Sequence, residues 1–323
     1  MDHVSTSPAS ATAPKPAAVP RCARLDGLGA LSVSGDDARA FLHAQLTTDV
    51  EHLPQQRARL AGWCSAKGRL LATFLVVPRP AGYLLQVSRD LAPSVVKRLS
   101  MFVLRAKVKV ADVSNEYLQL GIWGAGAEAR LAAFGLVLAK GELALGGSGS
   151  LAALRMGDER FLLLGPAQDI AVMETQLALQ VADESEWNLA EIRAGRPGIR
   201  QATQDLFVPQ MVNLEALGGV DFNKGCYPGQ EIVARTQYRG QLKRRMVRAR
   251  AGVGVTLAPA QDLYSDDLPG QASGTVVSVA PADGATELLA VVPVASVAEG
   301  TPIRVAPEGA ALDILDLPYS HSS

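Results

Sequence analysis

Residues 221 to 236 read DFNKGCYPGQEIVART, placing a lysine, a cysteine, two glycines, a proline, an amide and a carboxylate in one short stretch. The chemistry this mixture can do is that of an activated thiol. Pro228 has no backbone donor and suits the first turn of a helix. The spacing therefore predicts a helix from Gly229 to about Gln237, with Glu231 in its first turn, where a carboxylate meets the helix dipole favourably. Cys226 would sit just before that helix, whose free N–H groups favour a thiolate. Lys224 and Arg235 add positive potential if they face the sulfur. Gly225 and Gly229 permit a tight turn or the close approach of a ligand. The competing reading is a small buried cysteine at a corner. The polar company of Lys224, Gln230 and Glu231 exceeds what a corner needs.

The elements that must position this loop follow from periodicity. The run 21–34 reads as a strand or hairpin, and 36–50 as a helix with Ala38, Phe41, Leu42, Gln45 and Leu46 at helical spacing. Two strands joined at Ala66-Lys67-Gly68 come next, then a strand at 82–88, a helix from about Asp90 to Leu104 and a strand at 106–114. From Asn115 strands and helices interleave again, with a surface turn in the Gly-Ser stretch 146–150. Residues 185–199 read as a helix stopped by Gly195 and Pro197. A long irregular stretch runs on to Gly225, a length that in a compact domain often marks function. From Gln241 short apolar runs separated by Gly, Pro and Asp predict an all-β end. The expected domains are thus a first α+β unit (21–114), a second (115–240, carrying the loop) and a small C-terminal β-barrel (241–323).

Composition excludes several classes. Hydrophobic residues make up 48% and charged residues 20%, with a net charge of -1, so the whole chain gives no reason to expect nucleic acid or an anionic membrane as partner. No apolar run reaches about 18 residues, so no transmembrane helix is expected. Three scattered cysteines, Cys22, Cys64 and Cys226, fit neither a disulfide framework nor a metal site and point to a reducing, cytoplasmic setting. Residues 1–20, rich in Ala, Pro, Ser and Thr, lack a basic start and an apolar core and read as a disordered tail. The four histidines do not cluster in sequence, and His43 on the first helix reads as structural. Between Ile232 and Arg250 lie seven basic residues and no acid. Arg248 and Arg250 alternate with Val247, Ala249 and Ala251, so they line one strand face. That face would meet an anion, or stand in solvent balanced by acids elsewhere.

The segment GGVDFNKGCYPGQEIVARTQYRG resembles the defining segment of the YgfZ family, folate-binding proteins related to the T-protein of the glycine cleavage system. The K-G-C-Y-x-G-Q-E core is intact from Lys224 to Glu231. FLHAQLTTDV, WCSAKGRLLATF and WNLAEIRAGRPGI resemble further family motifs, and the likeness runs from about Leu25 to the C-terminus. It implies an α+β fold built as a ring of two mixed subdomains and a C-terminal β-barrel, with folate in the central opening. It implies Cys226 and Lys224 as reactive residues, and Gly225, Tyr227, Gly229, Gln230, Glu231 and Arg235 as their surroundings in a tetrahydrofolate site. Trp187 and Tyr227 are candidates to stack on the ring, though either also fits a plain core. Arg193 suits the glutamate tail, or equally a structural ion pair.

The departures matter. In the T-protein relatives a glycine-rich turn leads to a pair of aspartates, where this chain has Ala72 and Thr73. Neither holds a proton or steadies an amine near neutral pH. Arg193 stands where those relatives carry a pterin-binding glutamate, and it offers donors only. Glu215 is not placed by the sequence. The expected role is therefore a tetrahydrofolate-binding (or one-carbon-folate-binding) factor for iron–sulfur cluster assembly or repair and, through it, tRNA methylthiolation. Its partners would be folate and iron–sulfur client or assembly proteins, with direct tRNA binding not favoured, no membrane, and a monomeric state. The alternatives are a folate-dependent one-carbon transferase with a rebuilt site and a non-catalytic RNA-binding scaffold.

Overall fold

The computed structural model describes residues 19–239 and 242–320; the side chains of Ser148 and Arg239 are not described. The tail expected at 1–20 therefore lies outside the described residues as far as position 18. Three sheets organise the chain.

The first sheet has five strands in the order Arg59–Cys64, Leu70–Arg79, Gly82–Ser88, Leu28–Ser34, Lys109–Asp112. Its two long hairpins form where the apolar runs predict them. Gly68 turns the first of them at φ +70°, a conformation that favours glycine. The second sheet has six strands, with Arg160–Pro166 between Tyr117–Trp123 and Leu151–Gly157. The strand Arg21–Arg24 does not join the sheet that follows it in sequence. It pairs antiparallel with Tyr117–Trp123 and parallel with Gln180–Val181, so this strand lies in the second sheet and the next, Leu28–Ser34, in the first. The third sheet is antiparallel throughout, six strands curled as a half-barrel. Its edge strand Ile303–Arg304 bridges, through Arg304, to Ala311, just before the other edge strand Asp313–Leu315.

Packing between the sheets is apolar. Leu75, Val77 and Leu84 of the first sheet meet Ala152, Leu154 and Leu162 of the second around Trp187. A larger core joins the first helix (Ala38–Gln45) and first sheet to Val212, Leu214, Tyr227, Met246 and Leu289, so it runs through the irregular stretch into the half-barrel. That stretch is ordered by buried side chains rather than by a ladder. Gln210 donates to the Val233 carbonyl at 2.7 Å and Asn213 to that of Met246 at 3.0 Å. Buried backbone groups need such partners.

Two helices are shorter than their periodicity predicts. The first ends at Gln45 because Leu46 is extended and the Thr47 N–H turns to the Gly62 carbonyl. The second runs only over Ala92–Ser100, after a short 3-10 turn at Arg89–Leu91. Met101, Phe102 and Leu104 beyond it are exposed and have no core to hold a helical turn against.

Candidate functional site

The loop of residues 221–229 is tied to the end of the first helix. Thr47, fully buried, donates its hydroxyl to the Gly219 carbonyl and accepts the Gly62 N–H at 2.7 Å. The Asp221 N–H returns to the Thr47 carbonyl at 2.9 Å. Lys224 Nζ then donates to the carbonyls of His43 and Leu46, two groups a helix end leaves without intrahelical partners. Burial lowers the Lys224 ammonium to about 8, against the opposing pull of Asp49, Asp221 and Cys226.

On its other side the loop lies on the first hairpin turn. Gly229 has φ +80°, and a Cβ there would stand 2.4 Å from the Ser65 carbonyl oxygen and 2.7 Å from Gly68 Cα. Close backbone approach to this turn requires the glycine. Tyr227 is buried beneath the loop, its ring 4.8 Å from Lys224 Nζ. Burial raises its phenol well above the usual range. The helix that follows is Gln230–Arg239, and its Gln230 N–H bonds to the Tyr227 carbonyl. It starts one residue later than predicted, and Cys226 stands four residues before it rather than against its N-terminus. Cys226 is exposed, whereas Cys22 and Cys64 are buried. Glu231 and Arg235 face solvent on this helix, and Gln230 is half-buried.

A second feature lies where the three sheets converge. A cavity of about 120 Å³ is walled by Leu60 and Leu75 of the first sheet, Met156 of the second, and Ser278 and Val279 of the half-barrel. The central helix (Glu184–Arg193) contributes Trp187, Asn188, Glu191 and Ile192 to it. These positions recur one turn apart and so lie on one helix face, a spacing legible in the sequence. Trp187 is fixed from behind: its ring covers Gly121, where a Cβ would be 2.5 Å away, and Arg160 lies 5.0 Å from its centroid. Glu191 holds Arg160 at 2.8 Å and Arg196 at 3.1 Å through one oxygen, Oε1. Thr73 lines the cavity, but its hydroxyl is engaged by the Ile199 N–H at 3.1 Å, and Ala72 is fully buried. The buried Ser278 hydroxyl has no hydrogen-bond partner.

The structure therefore separates the sequence-predicted residues. Trp187 lines the cavity. Lys224, Gly225, Cys226, Tyr227, Gly229, Gln230, Glu231 and Arg235 form the loop and helix outside it. Arg193 lines neither feature: its guanidinium holds Glu287 of the half-barrel at 2.7 Å, and of its two readings the geometry realises the ion pair. Glu215 pairs with Arg245 at 2.8 Å, and burial raises its carboxyl despite that partner. Arg248 and Arg250 do share one face, paired across the sheet with Leu289 and Glu287. Leu289 belongs to the core, so this face turns inward, and both arginines are half-buried. Among the described residues no group of three His, Cys, Asp or Glu side chains is arranged to hold a metal ion. No helix among them is long and apolar enough to cross a membrane.

Comparison with known proteins adds to this geometry. Residues 24–139 match the GCVT N-terminal domain. The chain is 33% identical over 277 residues to the tRNA-modifying protein YgfZ of Edwardsiella ictaluri, covering 83% of each. It is 31% identical over 303 residues to that of Klebsiella pneumoniae, covering 92% of each. The match to that of Vibrio atlanticus is 30% over 217 residues, 67% of this chain and 65% of the relative. In fold, the chain is similar to the glycine cleavage system aminomethyltransferase T of Bartonella henselae, with TM-score 0.70 at 17% identity over 94% of this chain and 86% of that one.

Proposed function

The chain belongs to the YgfZ family, and from that premise we propose that it is a tetrahydrofolate-binding factor supporting iron–sulfur cluster assembly or repair and, through it, tRNA modification. The observation that carries the reading is the division between the central cavity and the Cys226 loop. The cavity is apolar in its body and lined by Trp187, with Asn188, Glu191 and the unpartnered Ser278 hydroxyl as polar groups. That is the mixture a flat, partly polar ring needs: broad apolar walls and a few placed hydrogen-bonding atoms. A carboxylate oxygen of Glu191 left outside the two arginine contacts is an acceptor for the amino and ring N–H groups of a pterin. When bound, the folate supplies a one-carbon carrier and a reduced ring; the chain's own residues hold it and shield it from water.

Aminomethyl transfer does not suit this cavity. Thr73 spends its hydroxyl on the Ile199 backbone, and Ala72 has nothing to offer. No carboxylate stands at those positions to steady a charged amine. Chemistry falls instead to Cys226, the exposed thiol, with Lys224 fixing its loop. Its partner would be sulfur, iron or a one-carbon unit carried by a client protein.

Anaerobic calorimetric titration of tetrahydrofolate into the wild type and into Cys226→Ala tests this. Both are expected to bind in the micromolar range, because Cys226 does not line the cavity. Absence of binding to the wild type would sink the folate reading.

A further inference from the structure

Two arginines line the central cavity, Arg196 and Arg200, and the fold treats them differently. Arg196 is buried and fully engaged: it donates to Glu142, to Glu191 and to the Met156 carbonyl. Arg160 shares Glu191 with it, so in this cluster two carboxylates balance two guanidiniums. Arg200 stands outside the cluster. Its guanidinium makes no hydrogen bond and no ion pair among the described residues. Its backbone, by contrast, is fixed on both sides. The Ile199 N–H goes to Thr73 Oγ1 at 3.1 Å, the Arg200 N–H to Thr203 Oγ1 at 3.0 Å and the Gln201 N–H to Asp90 at 3.1 Å. Arg200 is half-buried, so folding has removed part of the water around a group with donors only and has supplied no acceptor in its place. The acid whose field reaches Arg200 is Glu184, in the first turn of the central helix, and both its oxygens accept the Gly27 N–H at 3.1 Å. Glu191 stands seven residues further along that helix, roughly 10 Å up its axis. The lining therefore carries an acceptor edge towards one end of the helix and an unengaged cation towards the other.

We propose that Arg200 receives a carboxylate of the bound ligand, so that the cavity selects reduced folates with their glutamate tail over reduced pterins without one. This rests on the folate reading of the cavity and adds to it the residue that sets specificity. A folate is elongated, with a polar ring at one end and ionised carboxylates at the other. A ring held at Glu191 leaves the carboxylates to the Arg200 end of the lining. A planar guanidinium with all its donors unengaged meets a carboxylate through two parallel hydrogen bonds. Only a tailed ligand gains that pair. A bare pterin leaves Arg200 as it stands in the free protein, and its affinity is independent of this residue. The other arginines near the central helix are closed to a ligand: Arg193 holds Glu287, and Arg196 holds Glu142 and Glu191.

Anaerobic calorimetry on the full-length protein tests this with two probes, tetrahydrofolate and tetrahydropterin, the second being the reduced ring without the tail. The wild type should bind tetrahydrofolate about tenfold more tightly than tetrahydropterin. Arg200→Gln should lose about tenfold for tetrahydrofolate and stay within about twofold for tetrahydropterin, which removes the preference. Arg200→Lys keeps the charge without the planar fork and should fall between the two. Because the guanidinium has no partner in the fold, Arg200→Gln should unfold at the wild-type urea midpoint; Arg200→Lys carries the test if it does not. The tail can also be probed alone: p-aminobenzoylglutamate should compete with tetrahydrofolate for the wild type, and about tenfold less effectively for Arg200→Gln. Unchanged tetrahydrofolate affinity in Arg200→Gln would overturn the proposal, as would an equal loss for both probes. A wild type that binds both probes equally keeps the folate reading and overturns the role of Arg200. One that binds neither removes the folate reading itself.

Discussion

Lys224 Nζ lies 3.0 Å from the carbonyl oxygen of Leu46, the residue at which the first helix gives way to extended chain. A side chain from the loop near Cys226 thereby closes a helix more than 170 positions earlier in the chain. The contact explains why a lysine and not only a positive charge is needed there: three rotatable donors on a long stem reach two carbonyls at once.

This lysine gives the protein a pH signature. Its ammonium falls from the ordinary 10.5 to about 8 in the fold. Between those values the unfolded chain holds the proton more tightly, so stability should rise with pH across that window. Lys224→Met should be less stable than the wild type, and the wild-type advantage should widen as pH climbs from about 8 towards 10.5. Urea unfolding of both proteins at several pH values measures the gap. A constant gap would contradict the assignment.

Gly229→Ala should destabilise the protein by on the order of 2–3 kcal/mol, combining a left-handed backbone with overpacking against the Ser65–Gly68 turn. The clash is with backbone on the other side, so no rotamer relieves it. Denaturant unfolding gives the magnitude. Gly126→Ala, where a Cβ would meet nothing within 4 Å, isolates the conformational part of the cost.

Arg193→Met should cost about 2 kcal/mol, since it leaves Glu287, 5% exposed, without its ion-pair partner. Tetrahydrofolate affinity should stay within about twofold, because Arg193 does not line the central cavity. A large loss of affinity with unchanged stability would place Arg193 in the ligand site instead.

Most local elements, and the one segment with an unusual density of polar residues, are legible in the sequence. Alternation and turn residues marked the hairpins, and the density of Lys, Gly, Cys, Gln and Glu between 224 and 231 singled out one segment. Trp187 stands out in the sequence only for its ring. Which of these residues face one another is set by the packing of distant elements. Cys226 and Trp187 belong to different features because the loop is pinned to the first helix end while the central helix turns its Trp187 face to the cavity. Arg193 points to Glu287, a choice set by a strand more than ninety residues later. The strand Arg21–Arg24 enters the second sheet, since strand pairing is a contest among distant edges that no local window contains. Propensity acts within a few residues. The site is assembled from carbonyls, carboxylates and rings whose separation in sequence carries no trace of their distance in space.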